Sequence, residues 1–330
     1  MRLKKYPRSL FITAVTALTL AFAATVNSAE PGANFPSKTI EYVTHSAPGG
    51  PQNLIGHVIV DIVQQEKILS QPVVVKLIPG SGMAKAFSYL LEKKGEAHIW
   101  AGVPSALIIA TPLVVKVPYT YKDFTPIANI CTDGSVLAVS TKSKYKNIED
   151  LIAEARKRPN QLTQAGSSNV SNEAWMGRKM QKIKGVQWKF VSFKGELEAA
   201  SSVLGGNLDF AFLNPTSVVE HVRAGNLRVI LAGTKERYKA FPDAPTIIEA
   251  GLGEPDMTYR GFMGPPNMPA YAVKALEAAA KRIMKSPRFQ KHLEMSMMQE
   301  EYMDAREYAK FLEKDFQSVK KQMTEAGMLK

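Results

Sequence analysis

Three loops in this chain join small residues to hydrogen-bond donors at points where a strand gives way to a helix. His45-Ser46-Ala47-Pro48-Gly49-Gly50-Pro51-Gln52-Asn53 follows an apolar run at 39–44 and leads into a segment whose Leu54, Ile55, Val58, Ile59, Ile62 and Val63 recur at helical spacing. A glycine pair there lets the backbone turn tightly, so its N–H groups and the helix amino terminus converge on one point that attracts an anion. Pro79-Gly80-Ser81-Gly82 repeats the device after 73–78 and opens another helix. Ala165-Gly166-Ser167-Ser168-Asn169-Val170-Ser171-Asn172 offers hydroxyl, amide and backbone donors ahead of a helix over 173–182. One such loop is ordinary turn and cap chemistry. Three exceed what turning requires. The first two precede residue 90 and the third follows 160, which puts them on different domains and able to face each other across a cleft. Open α/β sheets bind ligands outside the carboxyl ends of their strands, so the chemistry indicated is capture of an anionic small molecule between two lobes.

Other chemistries fit less well. Gly80-Ser81-Gly82 lacks the third glycine of a dinucleotide fingerprint, and no Gly-Lys-Ser/Thr phosphate loop occurs, so no nucleotide cofactor is expected. Ser105 ends a strand-like run but is flanked by Val103-Pro104 and Ala106-Leu107 in place of the glycines of a nucleophile elbow. An exported α/β hydrolase acting on a small ester or amide through Ser105 is the alternative reading. Cys131 is the lone cysteine, and His45, His57, His98, His221 and His292 are scattered, so neither a disulfide nor a metal site is expected.

The elements that must position these loops alternate. Strands are expected at 39–44, 73–78, 98–103, 127–130, 136–140, 188–192, 208–213 and 228–232, with helices at 53–65, 148–157, 172–182 and 196–203. This βαβ order predicts α/β architecture with largely parallel sheets covered by helices on both faces. At the carboxyl end, 272–285 and 305–326 read as consecutive amphipathic helices with no strand between them.

A length of 330 residues allows two ordinary domains, and 45% hydrophobic with 22% charged residues excludes a disordered or fibrous chain. Residues 1–9 carry Arg2, Lys4, Lys5 and Arg8, 10–26 is mostly apolar, and Val26-Asn27-Ser28-Ala29 offers small residues for cleavage. The layout is that of a secretory signal peptide over 1–29, which makes the expected location periplasmic. Taking those four cations from the formal +12 leaves about +8, spread along the chain, which argues for a solvated surface and against a nucleic-acid partner.

Several further stretches carry a family likeness. They are Phe35-Pro36-Ser37-Lys38-Thr39-Ile40, Ala47-Pro48-Gly49-Gly50, Pro79-Gly80-Ser81-Gly82, Tyr121-Lys122-Asp123-Phe124-Thr125-Pro126 and Val191-Ser192-Phe193-Lys194-Gly195. Leu204-Gly205-Gly206-Asn207-Leu208-Asp209, 241–252 and Arg260-Gly261-Phe262-Met263-Gly264-Pro265-Pro266 continue them in order. With these the sequence resembles the substrate-binding proteins of tripartite tricarboxylate transporters, the TctC or Bug-type family of extracytoplasmic solute receptors. The resemblance implies a two-lobed, periplasmic binding-protein type II-like clamshell, each lobe a mainly parallel sheet flanked by helices. Lobe 1 would comprise 30–134 and 249–330, with lobe 2 at 135–248. It implies a receptor, not an enzyme, that captures a small organic carboxylate and delivers it to membrane permease subunits; a sensor serving a signalling partner is a further alternative. A monomer without cofactor is expected.

By the same likeness the ligand contacts are Ala47, Gly49, Gly50, Pro51, Gln52 and Asn53 at the first grip, with Gly80 and Ser81 beside it and Val103 and Ser105 near. On the other lobe they are Ser167, Ser168, Asn169, Val170 and Ser171, with Phe193, Asn214 and Thr216 at the same cleft. Two departures bear on the ligand. Asn53 stands where members commonly carry Asp, which favours a ligand with no amino group. Asn169 and Glu173 replace a glycine and a histidine in the central loop, with Trp175 close behind, so the family's citrate-like ligands do not carry over directly.

Overall fold

The computed structural model describes residues 32–46, 48, 51–80, 83–166, 171–193, 196–325 and 329. The expected leader over 1–29 and the expected contacts Ala47, Gly49, Gly50, Ser81, Ser167, Ser168, Asn169 and Val170 lie outside the described residues. Gly32–Phe35 forms a turn in which Phe35 N–H donates to the Gly32 carbonyl at 2.9 Å. Residues Pro36–Lys330 form a unit of their own that contains two sheets.

The first is six-stranded. It consists of β1 (Ile40–Thr44), β2 (Val73–Leu77), β3 (Ile99–Pro104), β4 (Thr125–Asp133), β10 (Thr258–Gly264) and β11 (Gln299–Met303), in the order β11-β4-β10-β3-β1-β2. The second is five-stranded, with β5 (Val136–Ser140), β6 (Thr163–Gly166), β7 (Lys189–Ser192), β8 (Phe210–Leu213) and β9 (Leu227–Ala232) in the order β7-β6-β8-β5-β9. The helices are α1 (Pro51–Gln65), α2 (Ala84–Glu92), α3 (Ser105–Val114), α4 (Ile148–Lys157), α5 (Asn172–Lys184), α6 (Glu196–Leu204), α7 (Pro215–Arg223), α8 (Ala270–Lys285), α9 (Pro287–Met295) and α10 (Ala305–Glu325).

Parallel pairing holds where βαβ alternation predicts it, in β2-β1-β3 and in β7-β6-β8. The sheets as a whole are mixed, because β10 pairs antiparallel with β3 and β4, β11 with β4, and β5 with β8 and β9. For β5 and β10 the reason is the double crossing. A strand arriving from the other sheet enters at the edge where the parallel strands end, so it must run against them. Asp133-Gly134-Ser135 makes the outward crossing from β4 to β5, and 233–257 makes the return. The two crossings touch through backbone: Gly233 N–H donates to Ser135 O at 2.8 Å. A Cβ on Gly134 would lie 2.8 Å from Gly233 O, so only glycine permits this approach.

Alternation along the strands divides the second lobe's core into two layers. Leu137, Val139, Phe210 and Phe212 pack with Ile148, Leu151 and Ile152 of α4 and Met176 and Met180 of α5. Val136, Ala138, Ala211 and Leu213 face Ala199, Ala200 and Val203 of α6 and Val218 of α7. In the first lobe Val43, Ala101 and Val103 pack under Phe87 and Leu90 of α2, Ile108 and Ile109 of α3, and Tyr308 and Leu312 of α10. Tyr42, Trp100 and Phe262 meet edge-on or tilted, with centroids 4.7–6.2 Å apart. Each fully buried large apolar side chain contributes roughly 1.5–3 kcal/mol.

The carboxyl end corrects one expectation. Between the two long helices lie α9 and the strand β11. The β11 sequence Gln-Glu-Glu-Tyr-Met carries no apolar alternation because the strand is an edge of its sheet, half-exposed throughout.

Candidate functional site

Direction fixes where a site can form. The carboxyl ends of β1, β2 and β3 share one edge of the first sheet. β4 also ends on that edge at Asp133, and β10 begins there with Thr258, Tyr259 and Arg260. The carboxyl ends of β6, β7 and β8 define the corresponding edge of the second sheet, where α5, α6 and α7 start.

On the first edge, Gln52 in the first turn of α1 is 2% exposed and joins a buried chain of polar groups. Arg260 Nε and Nη2 donate to the two Asp133 carboxylate oxygens at 2.8 and 2.7 Å, while Nη1 donates to Gln52 Oε1 at 3.1 Å. Gln52 Nε2 in turn donates to the Tyr42 hydroxyl at 3.3 Å. The pair is buried, with Arg260 at 8% and Asp133 at 6% exposure. A bidentate geometry and a further amide acceptor are what such a pair needs to survive desolvation. Gly102 on β3 leaves the room for it: a Cβ there would lie 2.0 Å from the Tyr42 hydroxyl oxygen and 2.4 Å from Gln52 Nε2. His45, just beyond β1, is held neutral. Burial, then the Arg260 charge, brings its pKa from 6.5 down to about 4, and its Nδ1 makes no hydrogen bond among the described residues. The first turn of α1 contains no acid, so no carboxylate within that turn offsets the positive end of its dipole.

The second edge is acidic. Glu173 occupies the first turn of α5, and Glu196 and Glu198 that of α6. Glu196 accepts the backbone N–H of Asn214, the cap of α7. Burial raises its pKa from 4.5 to about 7, and the charges of Glu173 and Asp133 push the same way against the Asn214 N–H and the Ser217 hydroxyl. Asn214 also ties the edges together, since its Nδ2 donates to Asp133 Oδ2 at 3.4 Å.

Beside these edges runs a cavity of about 310 Å³ lined by Ser105, Asn172, Trp175, Lys179, Asp256, Tyr259, Phe311 and Asp315, among others. Burial raises Asp315 to about 7, with Asp256 adding, while Lys179 meets Asp256 at 3.3 Å.

Of the expected contacts, Gln52 and Asn53 are buried at the first edge. Pro51 opens α1, and Gly80 lies exposed after β2 at φ 118°, a backbone conformation that favours glycine. Val103 is wholly buried in the α2/α3 core, so a ligand could meet only its backbone. Ser105 is 1% exposed, and its Oγ accepts Tyr259 N–H at 3.2 Å. Ser171 caps α5, accepting Ala174 N–H on its Oγ. Phe193 packs against the α6/α7 layer. Asn214 and Thr216 bond to each other: Asn214 Oδ1 accepts the Thr216 N–H at 3.0 Å and its hydroxyl at 2.7 Å. Sequence reasoning missed Asp133, Arg260, Tyr42 and Glu196. The available signal was two opposite charges set in strand sequences, Asp133 closing one apolar run and Arg260 leading into another. Among the described residues no group of three or more His, Cys, Asp or Glu could hold a metal ion, and no helix is long and apolar enough to cross a membrane.

Comparison with known proteins places this geometry in context. Residues 60–328 match the family described as tripartite tricarboxylate transporter family receptor. A curated Cupriavidus necator protein, described as the UPF0065 protein in the gbd 5' region, is 26% identical over 303 residues, covering 90% of each chain. A solved TctC solute-binding protein from Polaromonas superposes with TM-score 0.77 at 22% identity, covering 88% of this chain and 99% of its own. An R. palustris protein solved with adipate gives TM-score 0.76 at 21% identity, covering 89% and 99%.

Proposed function

The chain belongs to the tripartite tricarboxylate transporter receptor family, and from that premise we propose that it captures a small organic carboxylate in the cleft between its two sheets. The loaded, closed form would then be presented outside the cytoplasm to membrane permease subunits. Lobe 1 is read as 30–134 with 249–330 and lobe 2 as 135–248, a division supported by the strands each sheet draws on. The observation that carries the reading is the first edge itself. An acid-free α1 amino terminus stands beside the buried Arg260 guanidinium, whose partner Asp133 neutralises it without giving the edge a net negative charge. The main-chain donors of Gly49, Gly50 and Ser167–Asn169 are assigned to grip the ligand from opposite lobes. A carboxylate ligand also agrees with the adipate held by the R. palustris protein of the same fold.

Closure turns about the paired crossings at Gly134 and Gly233, and a ligand shifts that equilibrium only by its differential affinity for the closed form. A micromolar receptor needs about 8 kcal/mol of binding free energy, within reach of several charge-assisted hydrogen bonds in a closed cleft. Capture leaves the ligand chemically unchanged. Mass spectrometry of small molecules released from the purified protein, with a thermal-shift screen over mono-, di- and aromatic carboxylates, tests this. An intact carboxylate that at about 100 times its Kd adds roughly 2.7 kcal/mol of stability is the expected result. A screen in which no carboxylate stabilises the protein would refute it.

A further inference from the structure

At the amino terminus of α7, on the second lobe's cleft edge, every early donor has a partner among the described residues. Asn214 N–H donates to Glu196 Oε1. Pro215 has no N–H. Thr216 N–H and hydroxyl both go to Asn214 Oδ1, at 3.0 and 2.7 Å, and Ser217 N–H goes to Asn214 O at 3.0 Å. The Ser217 hydroxyl bonds the Glu196 carboxyl as well. Helix amino termini that follow parallel strands are where an incoming carboxylate is normally received. Here a carboxylate is already present, and it comes from the chain.

We propose that Glu196 holds the place which a ligand's second carboxylate would take on lobe 2, so that the cleft is built for a monocarboxylate whose far end is neutral or a hydrogen-bond donor. The proposal rests on the receptor reading above and specifies the ligand class of that same cleft. Three groups decide the electrostatics at this position. Glu173 faces Glu196 from α5 and Asp133 faces it from the end of β4, both with negative charge, the latter paired with Arg260. A dicarboxylate would therefore bring its second charge against Glu196 and Glu173, Asp133 being paired with Arg260, and find the early donors of α7 already taken among the described residues. A hydroxyl, amide or ammonium group would instead find acceptors. The absence of an acid at Asn53 on lobe 1, which by itself suggested a ligand with no amino group, is thus offset by acids on the opposite lobe.

The test is a set of dissociation constants, by titration calorimetry at pH 8, for matched linear, hydroxylated and aromatic mono- and dicarboxylates against the wild-type protein, Glu196→Ala and Glu196→Gln. In the wild type the monocarboxylate of the best-bound pair should be tighter by about tenfold or more. In Glu196→Ala that ratio should fall to roughly threefold or reverse, and Glu196→Gln, which keeps the shape and removes the charge, should shift it the same way. A wild type that prefers the dicarboxylate member, or variants that leave the ratio unchanged, would overturn the proposal while leaving the receptor reading intact. A wild type that binds no carboxylate would overturn both.

Discussion

The two cleft edges are made by the same device, parallel strands ending in loops that start helices, yet the first is neutral among the described residues and the second carries acids in its first turns. On lobe 1 the first turns of α1, α2 and α3 contain no acid, and the nearest carboxylate, Asp133, is matched by a bidentate arginine. On lobe 2 α5 and α6 start with Glu173, Glu196 and Glu198, and a chain carboxylate caps the third helix. Fold alone therefore does not determine which edge receives an anion. We propose that the residues set in the first turns do.

The most severe way to break this contrast is to remove Arg260. Arg260→Leu leaves Asp133 buried and unpaired and turns the neutral edge acidic. A loss of about 3–5 kcal/mol is expected in denaturant unfolding, along with loss of carboxylate binding. Adding Asp133→Leu should restore much of the stability, and an additive double variant would refute the pairing. Next is Gly102→Val, whose Cβ would collide with the Tyr42 hydroxyl and Gln52 Nε2. Overpacking there should cost about 1–3 kcal/mol and weaken the ligand by displacing the first turn of α1. A smaller effect sharpens the contrast without breaking the fold: Asn53→Asp gives lobe 1 the first-turn acid it lacks. Carboxylate affinity should fall by about tenfold, since a helix-terminus charge interaction is worth up to ~2 kcal/mol when partly buried. Unchanged calorimetric affinity would mean that the anion is received elsewhere.

The smallest effect is in pH, where the edges should have opposite slopes. Glu196 keeps a proton when folded that the unfolded chain releases between about 4.5 and 7, so its contribution makes stability fall as pH rises through that window. His45 refuses when folded a proton that the unfolded chain takes up between about 6.5 and 4, so its contribution makes stability fall as pH drops. Asp315, raised from 3.8 to about 7, adds to the Glu196 slope. In Tm against pH, Glu196→Gln should flatten the decline toward pH 7, and His45→Gln should flatten the decline toward pH 4. Parallel curves for wild type and both variants would contradict these assignments.

How much of this could be read from the chain follows from where the information lies. Strands with apolar runs, such as β1, β2 and β5, were legible, as were the loops that follow them. β6 is the polar tetrapeptide Thr-Gln-Ala-Gly, and β10 is interrupted by Arg260 and Gly261, so neither has a period to detect. α3 is apolar nearly all round and contains Pro112, which hides its helical period. The Arg260–Asp133 pair joins residues 127 apart, which no local pattern encodes. That the first edge seeks an anion was an expectation read from Gly49-Gly50, which lie outside the described residues, and from Asn53 standing where an acid is common. The acid that fills the second edge was not expected, because Glu196 reads as an ordinary first-turn glutamate until its carboxyl is seen on Asn214.

The most direct measurement is a crystal structure of the protein with its best-binding carboxylate. The expected result is a carboxylate about 2.7–2.9 Å from main-chain donors at the start of α1, with the ligand's other end toward Glu196. A carboxylate seated on Asn214 and Thr216, with Glu196 swung away, would contradict it.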